Sequence, residues 1–200
     1  RGVADLDGDG DCDIVLPDRW LENRNKGRQW LRHPLPSGKR GKLYGLSARS
    51  WVADMDGDGD PDIVMADCDQ QDSGALWLEN NGRKPPAFTA HRLPITAPGT
   101  RGSFHALVVA DFDLDGDLDV FAAEQEDPSL LPVGAPPRWY IWENLDGRAG
   151  RFAERIVLDK RLGGHDVLPA DVDGDGDIDL LSKVWHLWKE NANGGRFHAD

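Results

Sequence analysis

Five aspartates fall within nine residues at four places in this chain, and each time they alternate with small or apolar residues. The first of these acidic loops, residues 5–13, reads Asp-Leu-Asp-Gly-Asp-Gly-Asp-Cys-Asp. Carboxylates at this density repel one another unless a cation lies among them, and such oxygen ligands suit a hard cation, Ca²⁺ before Mg²⁺. We therefore predict about four bound Ca²⁺ ions, one for each loop. The predicted ligands are Asp5, Asp7, Asp9, Asp11, Asp13, Asp54, Asp56, Asp58, Asp60, Asp62, Asp111, Asp113, Asp115, Asp117, Asp119, Asp171, Asp173, Asp175, Asp177 and Asp179.

The spacing within each acidic loop begins like that of an EF-hand but ends differently. Acids occupy positions 1, 3, 5 and 9, and glycine occupies position 6. An EF-hand requires a bidentate glutamate at position 12, where this chain has Leu16, Met65, Ala122 and Ser182. Apolar residues typical of strands follow every loop. Each loop is therefore predicted to join two β-strands, with the ninth-position acid closing the site.

The acidity of the chain is concentrated in these loops. The formal net charge is −13, from 36 acidic and 23 basic residues. The loops hold five acids each, twenty in all, so the remainder carries 16 acids against 23 basic residues. Because the negative charge is mostly metal-site charge, it indicates no basic partner. The chain has no basic stripe interleaved with aromatics and no apolar run of about 18 residues, so we expect neither nucleic-acid binding nor a membrane span.

The acidic loop belongs to a longer repeat. The loops start at residues 5, 54, 111 and 171, and a Glu-Asn pair follows each one at 22–23, 79–80, 143–144 and 190–191. An aromatic residue precedes each pair by one or two positions, and another follows after a Gly/Asn/Arg turn. Periods of this length with four short strands are typical of propeller blades. We predict an all-β fold, a single β-propeller of four-stranded antiparallel blades, with repeats 1 to 4 at approximately 1–44, 45–101, 102–161 and 162–200.

The pattern Asp-x-Asp-x-Asp-Gly-x-x-Asp at 54–62 and the segment Leu-Trp-Leu-Glu-Asn-Asn-Gly at 76–82 resemble FG-GAP/VCBS repeats, the blades of integrin-α-type β-propellers. The resemblance covers essentially the whole chain. It implies Ca²⁺ in the loop between strands 1 and 2 of each blade, and an extracellular or periplasmic setting. Such propellers usually close with seven or eight blades, so we expect the four repeats to form part of a larger ring, although four-bladed propellers also exist and four repeats could close. Members range from adhesion and carbohydrate-binding modules to polysaccharide lyases and aldos-2-ulose dehydratase-like enzymes, so the fold alone does not decide the function.

Two histidines lie six residues before the first aspartate of their loops, His105 in repeat 3 and His165 in repeat 4. If strand 1 is innermost, as in this family, both lie near the mouth of the central channel, at the opposite end from the metal loops. The corresponding residue of repeat 2 is Ala48, with Arg49 beside it. Together with Asp166 the two imidazoles could ligate a transition metal or transfer protons, so these three are the candidate catalytic residues. The alternative is that they only hydrogen-bond a neighbouring blade.

The loops between strands 2 and 3 are expected at the same face. They contribute Asp67, Asp69, Glu124, Glu126, Lys183 and His186. The third of these loops includes the proline-stiffened segment 128–137, which favours a binding cleft. The segment 164–169, Gly-His-Asp-Val-Leu-Pro, resembles segments of the dehydratase-like branch.

The remaining aromatic and titratable residues are given structural roles. The tryptophans before the Glu-Asn pairs are predicted to pack between blades, while Trp139 and Trp185 fall outside that position and are candidates for stacking on a sugar. His33 and His91 recur on the fourth strand and are interpreted as structural. Cys12 and Cys68 are predicted not to be bonded to each other.

Two hypotheses remain. The first is a Ca²⁺-binding propeller that acts as an extracellular binding module, for carbohydrate or for another protein. The alternative is a carbohydrate-active enzyme, a sugar lyase or dehydratase, whose site lies over the central channel. Convergence of His105 and His165 within about 5 Å around an open pocket would favour the enzyme.

Overall fold

The computed structural model of the chain describes residues 2–38, 47–125, 136–158, 162–183, 187–189 and 196–198. Within these residues every regular element is a β-strand, so the predicted all-β class is confirmed. In this part of the chain, no helix has the length and apolar character that crossing a membrane requires. Repeat 1 contains β1 (Val3–Ala4), β2 (Asp13–Leu16), β3 (Arg19–Arg24) and β4 (Gln29–Pro34), and repeat 2 contains β5 (Ala48–Ala53), β6 (Asp62–Asp67), β7 (Ala75–Asn80) and β8 (Phe88–Arg92). Repeat 3 contains β9 (Phe104–Ala110), β10 (Asp119–Glu124), β11 (Trp139–Asn144) and β12 (Phe152–Leu158), and repeat 4 contains β13 (Asp166–Ala170), β14 (Asp179–Lys183), β15 (Leu187–Lys189) and β16 (Arg196–His198).

Repeats 1 to 3 each form one four-stranded antiparallel sheet in which neighbouring strands follow chain order. Repeat 4 is described as two separate antiparallel pairs, β13 with β14 and β15 with β16. Apolar runs such as Ile63-Val-Met in β6 are buried on both faces, which suits a strand covered by a sheet on either side. The sheets lie within the predicted repeats, whose exact boundaries stay predictions.

The hydrophobic core is divided into clusters that lie between consecutive repeats. Leu6 and Trp20 of repeat 1 pack with Ile63 and Leu78 of repeat 2. A larger cluster joins repeats 2 and 3, and a third joins repeat 3 to Val167 of repeat 4. Burying one such side chain contributes roughly 1.5–3 kcal/mol, so the packing of sheet face on sheet face is the main stabilising term.

The first strands of successive repeats contact one another, β1 with β5, β5 with β9 and β9 with β13. The same strands therefore form the inner side of a β-propeller-like arrangement, and every acidic loop leaves from one end of such a strand. The first strands of successive repeats run in the same direction, because the repeats are built in the same strand order. The ends of β5, β9 and β13 away from the acidic loops therefore lie together, around the predicted histidines.

One face of repeat 4 differs from its counterparts in the other repeats. The second residue of the acidic loop is 2% exposed in repeats 1 and 2, as Leu6 and Met55, because it packs on the next sheet. Its counterpart in repeat 4, Val172, is 60% exposed. Leu168 and Leu181, which pair across β13 and β14, are also exposed. Repeat 4 thus presents an apolar face of the kind that repeats 1 and 2 bury.

The tryptophans confirm the predicted packing between repeats but not a common orientation. Trp20 and Trp77 stand two residues before the Glu of the Glu-Asn pair, and both pack with the core shared with the following repeat. Trp142 stands one residue before Glu143. Because side chains alternate along a strand, Trp142 faces repeat 2 instead, and its indole Nε1 donates to the carbonyl of Pro94 at 2.9 Å.

Candidate metal centres and an imidazole cluster

Each acidic loop is folded around the carboxylate of its first aspartate. In repeat 2 the backbone N–H of Gly57 donates to Oδ1 of Asp54 at 2.9 Å, and that of Gly59 donates to Oδ2 at 3.0 Å. Asp5, Asp111 and Asp171 accept equivalent bonds in the other loops. The glycine at position 6 has φ between 94° and 99° in all four loops, a left-handed conformation that side chains disfavour. This glycine is required by the backbone and not by crowding, since an added Cβ at Gly59 would meet nothing within 4 Å.

The ninth-position aspartate, which the sequence predicts to close the metal site, accepts hydrogen bonds from the backbone in the structure. Asp62 is fully buried and accepts from the N–H of Met55 at 2.9 Å and from the N–H of Asn80 at 2.8 Å. The carboxylate therefore ties the start of the loop to strand β7. Burial raises the pKa of Asp62 to about 7, against the opposing effect of these two hydrogen bonds. Asp13 and Asp119 are buried and bonded in the same way.

Three carboxylates of every acidic loop offer oxygen atoms that lie within 4.8 Å of one another. The four acid clusters are Asp5-Asp7-Asp13, Asp54-Asp56-Asp58, Asp111-Asp113-Asp115 and Asp171-Asp173-Asp179. Partial burial, together with neighbouring carboxylates, raises the pKa of the third-position acids Asp7, Asp56 and Asp113. Repulsion among the carboxylates of a loop thus contributes to these raised pKa values. An all-oxygen donor set of this charge fits a hard divalent cation.

The structure does not bring the seventh-position acids into the acid clusters. Oδ2 of Asp11 accepts from the N–H of Lys26 at 3.3 Å, in the turn after strand 3. The carboxylate of Asp60 lies against Gly82, so closely that an added Cβ there would collide with it. Asp117 lies against Gly147 in the same manner. These side chains point out of the loop and contact the turn between strands 3 and 4.

The asparagines of the Glu-Asn pairs in repeats 2 and 3 connect the loops of neighbouring repeats. Nδ2 of Asn80 donates to the carbonyl of Pro61 in its own loop at 3.0 Å and to the carbonyl of Leu6 in the preceding loop at 3.3 Å. Asn144 makes the corresponding, longer contacts to the carbonyls of Leu118 and Met55. The recurrence of the pair in the sequence was the signal for this role, which the sequence analysis did not assign.

The glutamate of the pair contacts the outer strand. Glu22 accepts from Nε2 of His33 at 2.6 Å, and the His33 ring stacks on Trp20 with centroids 4.4 Å apart. Glu79, His91 and Trp77 repeat this arrangement. In repeat 3 the Glu-His contact is replaced by an ion pair between Arg155 and Glu143. The contacts support the structural interpretation of His33 and His91.

The two predicted channel histidines lie together. The rings of His105 and His165 stack with centroids 4.3 Å apart and an angle of 29° between their planes. Nε2 of His105 lies 3.0 Å from Oδ1 of Asp69, and Nδ1 lies 3.3 Å from Nη2 of Arg49. Because a guanidinium can only donate, Nδ1 accepts and Nε2–H donates to the carboxylate. The geometry thus fits a His105 ring that carries a proton on Nε2, with both nitrogens engaged.

Asp69 is held in place by an unusual backbone conformation. Its φ is 55°, and its N–H donates to Oγ of Ser103 at 2.6 Å. Burial would raise the pKa of Asp69, but hydrogen bonds from His105 and Ser47 outweigh it and hold the pKa below the ordinary value. A left-handed, non-glycine residue in a polar cluster is a common mark of a functional site.

A cavity of about 210 Å³ opens beside this cluster. We call it the channel-end cavity. It is lined by Ala48, Arg49 and Ser50 of β5, by His105, Ala106 and Leu107 of β9, and by Asp166 of β13. The first strands of three repeats therefore build it. His165 donates its backbone N–H to the carbonyl of Lys183 at 3.0 Å, which anchors the second ring to repeat 4.

Other predicted residues of this face have structural contacts or lie outside the described residues. Glu124 is buried and accepts from Arg138 and from Tyr140 Oη. Trp139 packs edge-on against Phe121 at 5.6 Å and is partly buried, which disfavours the role of a sugar platform. Glu126, Trp185, His186 and most of segment 128–137 lie outside the described residues.

A buried ion pair links Glu154 of β12 to Arg101. Glu154 is buried with Arg101 and accepts from the N–H groups of Thr96 and Ala97, each at 2.6 Å. Although burial opposes ionisation, these bonds and the Arg101 contact lower the pKa of Glu154.

Cys12 and Cys68 are both free, one exposed and one buried, in agreement with the prediction.

Comparison with known proteins gives one family match. The model of the FG-GAP-like repeat matches residues 5–64 and again residues 54–122, which together span more than half of the 200 residues. Both matches begin at the first aspartate of an acidic loop. No curated protein matches the chain.

Proposed function

This chain belongs to the FG-GAP-like repeat family, and from this premise we propose that it is a Ca²⁺-stabilised β-propeller that acts as a binding module outside the cytoplasm. The observation that carries the proposal is the cluster of three carboxylates in the acidic loop of every repeat, which always includes the first- and third-position acids. One acidic turn would be unremarkable, whereas four with the same left-handed glycine and the same anchored first aspartate indicate a common ligand.

The donor chemistry favours Ca²⁺ as that ligand. All side-chain donors are carboxylate oxygens, and the loops bend without a helix on either side, so ligand number and distance can adapt to a larger ion. The residues that would hold the ions are the twelve aspartates of the acid clusters. A bound Ca²⁺ would neutralise the repulsion among them and so stabilise the loop.

The expected affinity of the loops for Ca²⁺ also supports a setting outside the cytoplasm. Exposed Ca²⁺ loops of extracellular modules typically bind with dissociation constants of about 10⁻⁴–10⁻³ M. Such sites are occupied only where free Ca²⁺ is abundant. Most of the predicted ligands are exposed or half-buried, which fits weak sites of this kind.

We further propose that the ring has more than four blades, seven or eight in all. The apolar face of Leu168, Val172 and Leu181 supports this, because the equivalent positions of repeats 1 and 2 are covered by a following sheet. Burial of such an apolar face against a further blade is more favourable than its exposure to solvent.

A specific observation favours a second candidate, a carbohydrate-active enzyme of the lyase or dehydratase type. The stacked rings of His105 and His165 lie closer than the 5 Å limit set for this hypothesis, beside an open cavity. Both nitrogens of His105 are engaged, however, so this ring cannot ligate a metal without losing Asp69 or Arg49. For this reason we place the binding module first.

The proposal is tested by counting ions and then ligands. Equilibrium dialysis against about 10 mM Ca²⁺ is expected to give about four bound ions per chain, with weaker binding of Mg²⁺. A glycan array probed in Ca²⁺ and in EGTA should show binding only with Ca²⁺. Fewer than two ions per chain, or equal glycan binding in EGTA, would contradict the Ca²⁺-dependent module.

A further inference from the structure

We propose that the channel-end cavity binds a small hydroxylated carboxylate, such as a sugar acid, and that Arg49 is the residue that holds the carboxylate. This inference rests on the proposed binding function and specifies its ligand. It differs from the metal sites in position, since the cavity and the acidic loops lie at opposite ends of the first strands.

The guanidinium of Arg49 is positioned by two contacts to His105. Its Nε donates to the carbonyl of His105 at 2.7 Å, and Nη2 lies 3.3 Å from the Nδ1 of that ring. Both partners are uncharged acceptors. Among the described carboxylates none lies within ion-pair distance of Arg49, although Asp69 is close enough to interact with it electrostatically. The cation therefore retains charge and N–H groups for a ligand.

The surrounding groups fix this orientation. His105 can accept from Arg49 only while its proton is on Nε2, and Asp69 holds that proton at 3.0 Å. The ring of His165 covers His105 from the side of repeat 4. Asp69, His105 and Arg49 thus form a chain of contacts in which each residue orients the next, as expected of a preorganised site.

The size and walls of the channel-end cavity define the ligand class. Its volume of about 210 Å³ lies below the roughly 300–1,000 Å³ typical of drug-sized ligands, so it suits a small acid or the acidic end of a larger molecule. Ala48, Ala106 and Leu107 supply apolar walls. Asp166 lines the cavity as well, and it would repel a second carboxylate but accept from hydroxyl groups. One carboxylate together with hydroxyls is the combination that these groups recognise.

Three probes separate the two groups. D-glucuronate carries a carboxylate and hydroxyls, D-glucose carries hydroxyls alone, and acetate carries a carboxylate alone. Binding is measured by calorimetry and by amide chemical shifts of the Ca²⁺-loaded chain. Glucuronate is expected to bind more tightly than acetate, glucose not to bind, and the amides of residues 49, 105 and 166 to shift. Arg49→Gln should weaken glucuronate binding by about tenfold or more, the range of a charge-assisted hydrogen bond.

Arg155→Gln is the matched control, because Arg155 is an outer-strand arginine that pairs with Glu143 away from the cavity. It should leave glucuronate binding unchanged. Equal binding by Arg49→Gln and the wild type, shifts confined to other residues, or no binding of either acid by the folded wild type would each overturn the inference. If Arg49→Gln fails to fold, the shift map of the wild type decides alone. Ion counting is independent of Arg49, so the Ca²⁺ proposal and this inference fail separately.

Discussion

Replacing Asp56 by Asn should change stability in opposite directions with and without Ca²⁺. Asp56 shares an acid cluster with Asp54 and Asp58, with carboxylate oxygens within 4.8 Å. In EGTA the loss of one negative charge relieves repulsion of about 1 kcal/mol for each close, water-exposed pair. The acceptor bond that Oδ1 makes to the N–H of Asp58 at 3.1 Å is retained by the amide oxygen. The variant is therefore expected to melt at or slightly above the temperature of the wild type in EGTA.

With Ca²⁺ the same substitution removes a ligand. A site saturated at about 100 times its dissociation constant stabilises the folded state by roughly 2.7 kcal/mol. For a chain of 200 residues the entropy of unfolding is about 0.4 kcal/mol/K, so one lost site lowers the melting temperature by about 6 °C. Calorimetric melts in about 10 mM Ca²⁺ are appropriate, since this is about 100 times a dissociation constant of about 0.1 mM, the tight limit for extracellular sites.

Asp60→Asn is the matched control within the same loop. Its carboxylate lies against Gly82 and outside the acid cluster. The control should therefore keep the full stabilisation by Ca²⁺. Equal loss of that stabilisation in Asp56→Asn and Asp60→Asn would refute the assignment of ligands within the loop. Equal destabilisation of Asp56→Asn in EGTA and in Ca²⁺ would refute the role of the metal.

Three further outcomes are expected. Asn80→Ala should lower the free energy of unfolding in urea by about 1–3 kcal/mol, because two carbonyls of neighbouring loops lose their donor; the exposed Asn81→Ala should cost clearly less. With a thiol reagent Cys12 should react at once, whereas Cys68 should react only on unfolding, since burial raises the pKa of its thiol to about 11; two fast thiols would contradict this. Because hydrogen bonds outweigh burial and hold the pKa of Glu154 below 4.5, its contribution to stability is complete above about pH 4.5 and is lost as the pH falls through the folded-state pKa. Glu154→Gln should flatten that acid limb in urea titrations, and an unchanged limb would speak against the pair.

The parts of the structure that recur in the sequence were the parts that could be predicted from it. The acidic loops, the strands beside them and the pairing of His105 with His165 all follow from counting along equivalent repeats. The direction of a side chain within a loop does not follow from such counting. Asp58 and Asp60 look alike in the sequence, yet Asp58 lies in the acid cluster whereas Asp60 lies against Gly82 in the turn after strand 3.

Residues that occur once were beyond prediction for a different reason. The buried pair of Arg101 and Glu154 joins the segment between repeats to the last strand of repeat 3, and no periodic signal marks either residue. Asp69 was recognised only as a loop acid, because its left-handed backbone depends on the contact with Ser103. The role of Arg49 likewise depends on a neighbouring repeat, through the carbonyl and ring of His105.

The two ends of the first strands are linked through the interfaces between repeats. Asn144 reaches from repeat 3 to the acidic loop of repeat 2, so that loop also sets the position of the next sheet. The channel-end cavity takes its walls from those same sheets and from repeat 4. A cavity built from single strands of three repeats keeps its shape only if the sheets keep their spacing. The acidic loops therefore support a site at the far end of the strands without contributing a side chain to it.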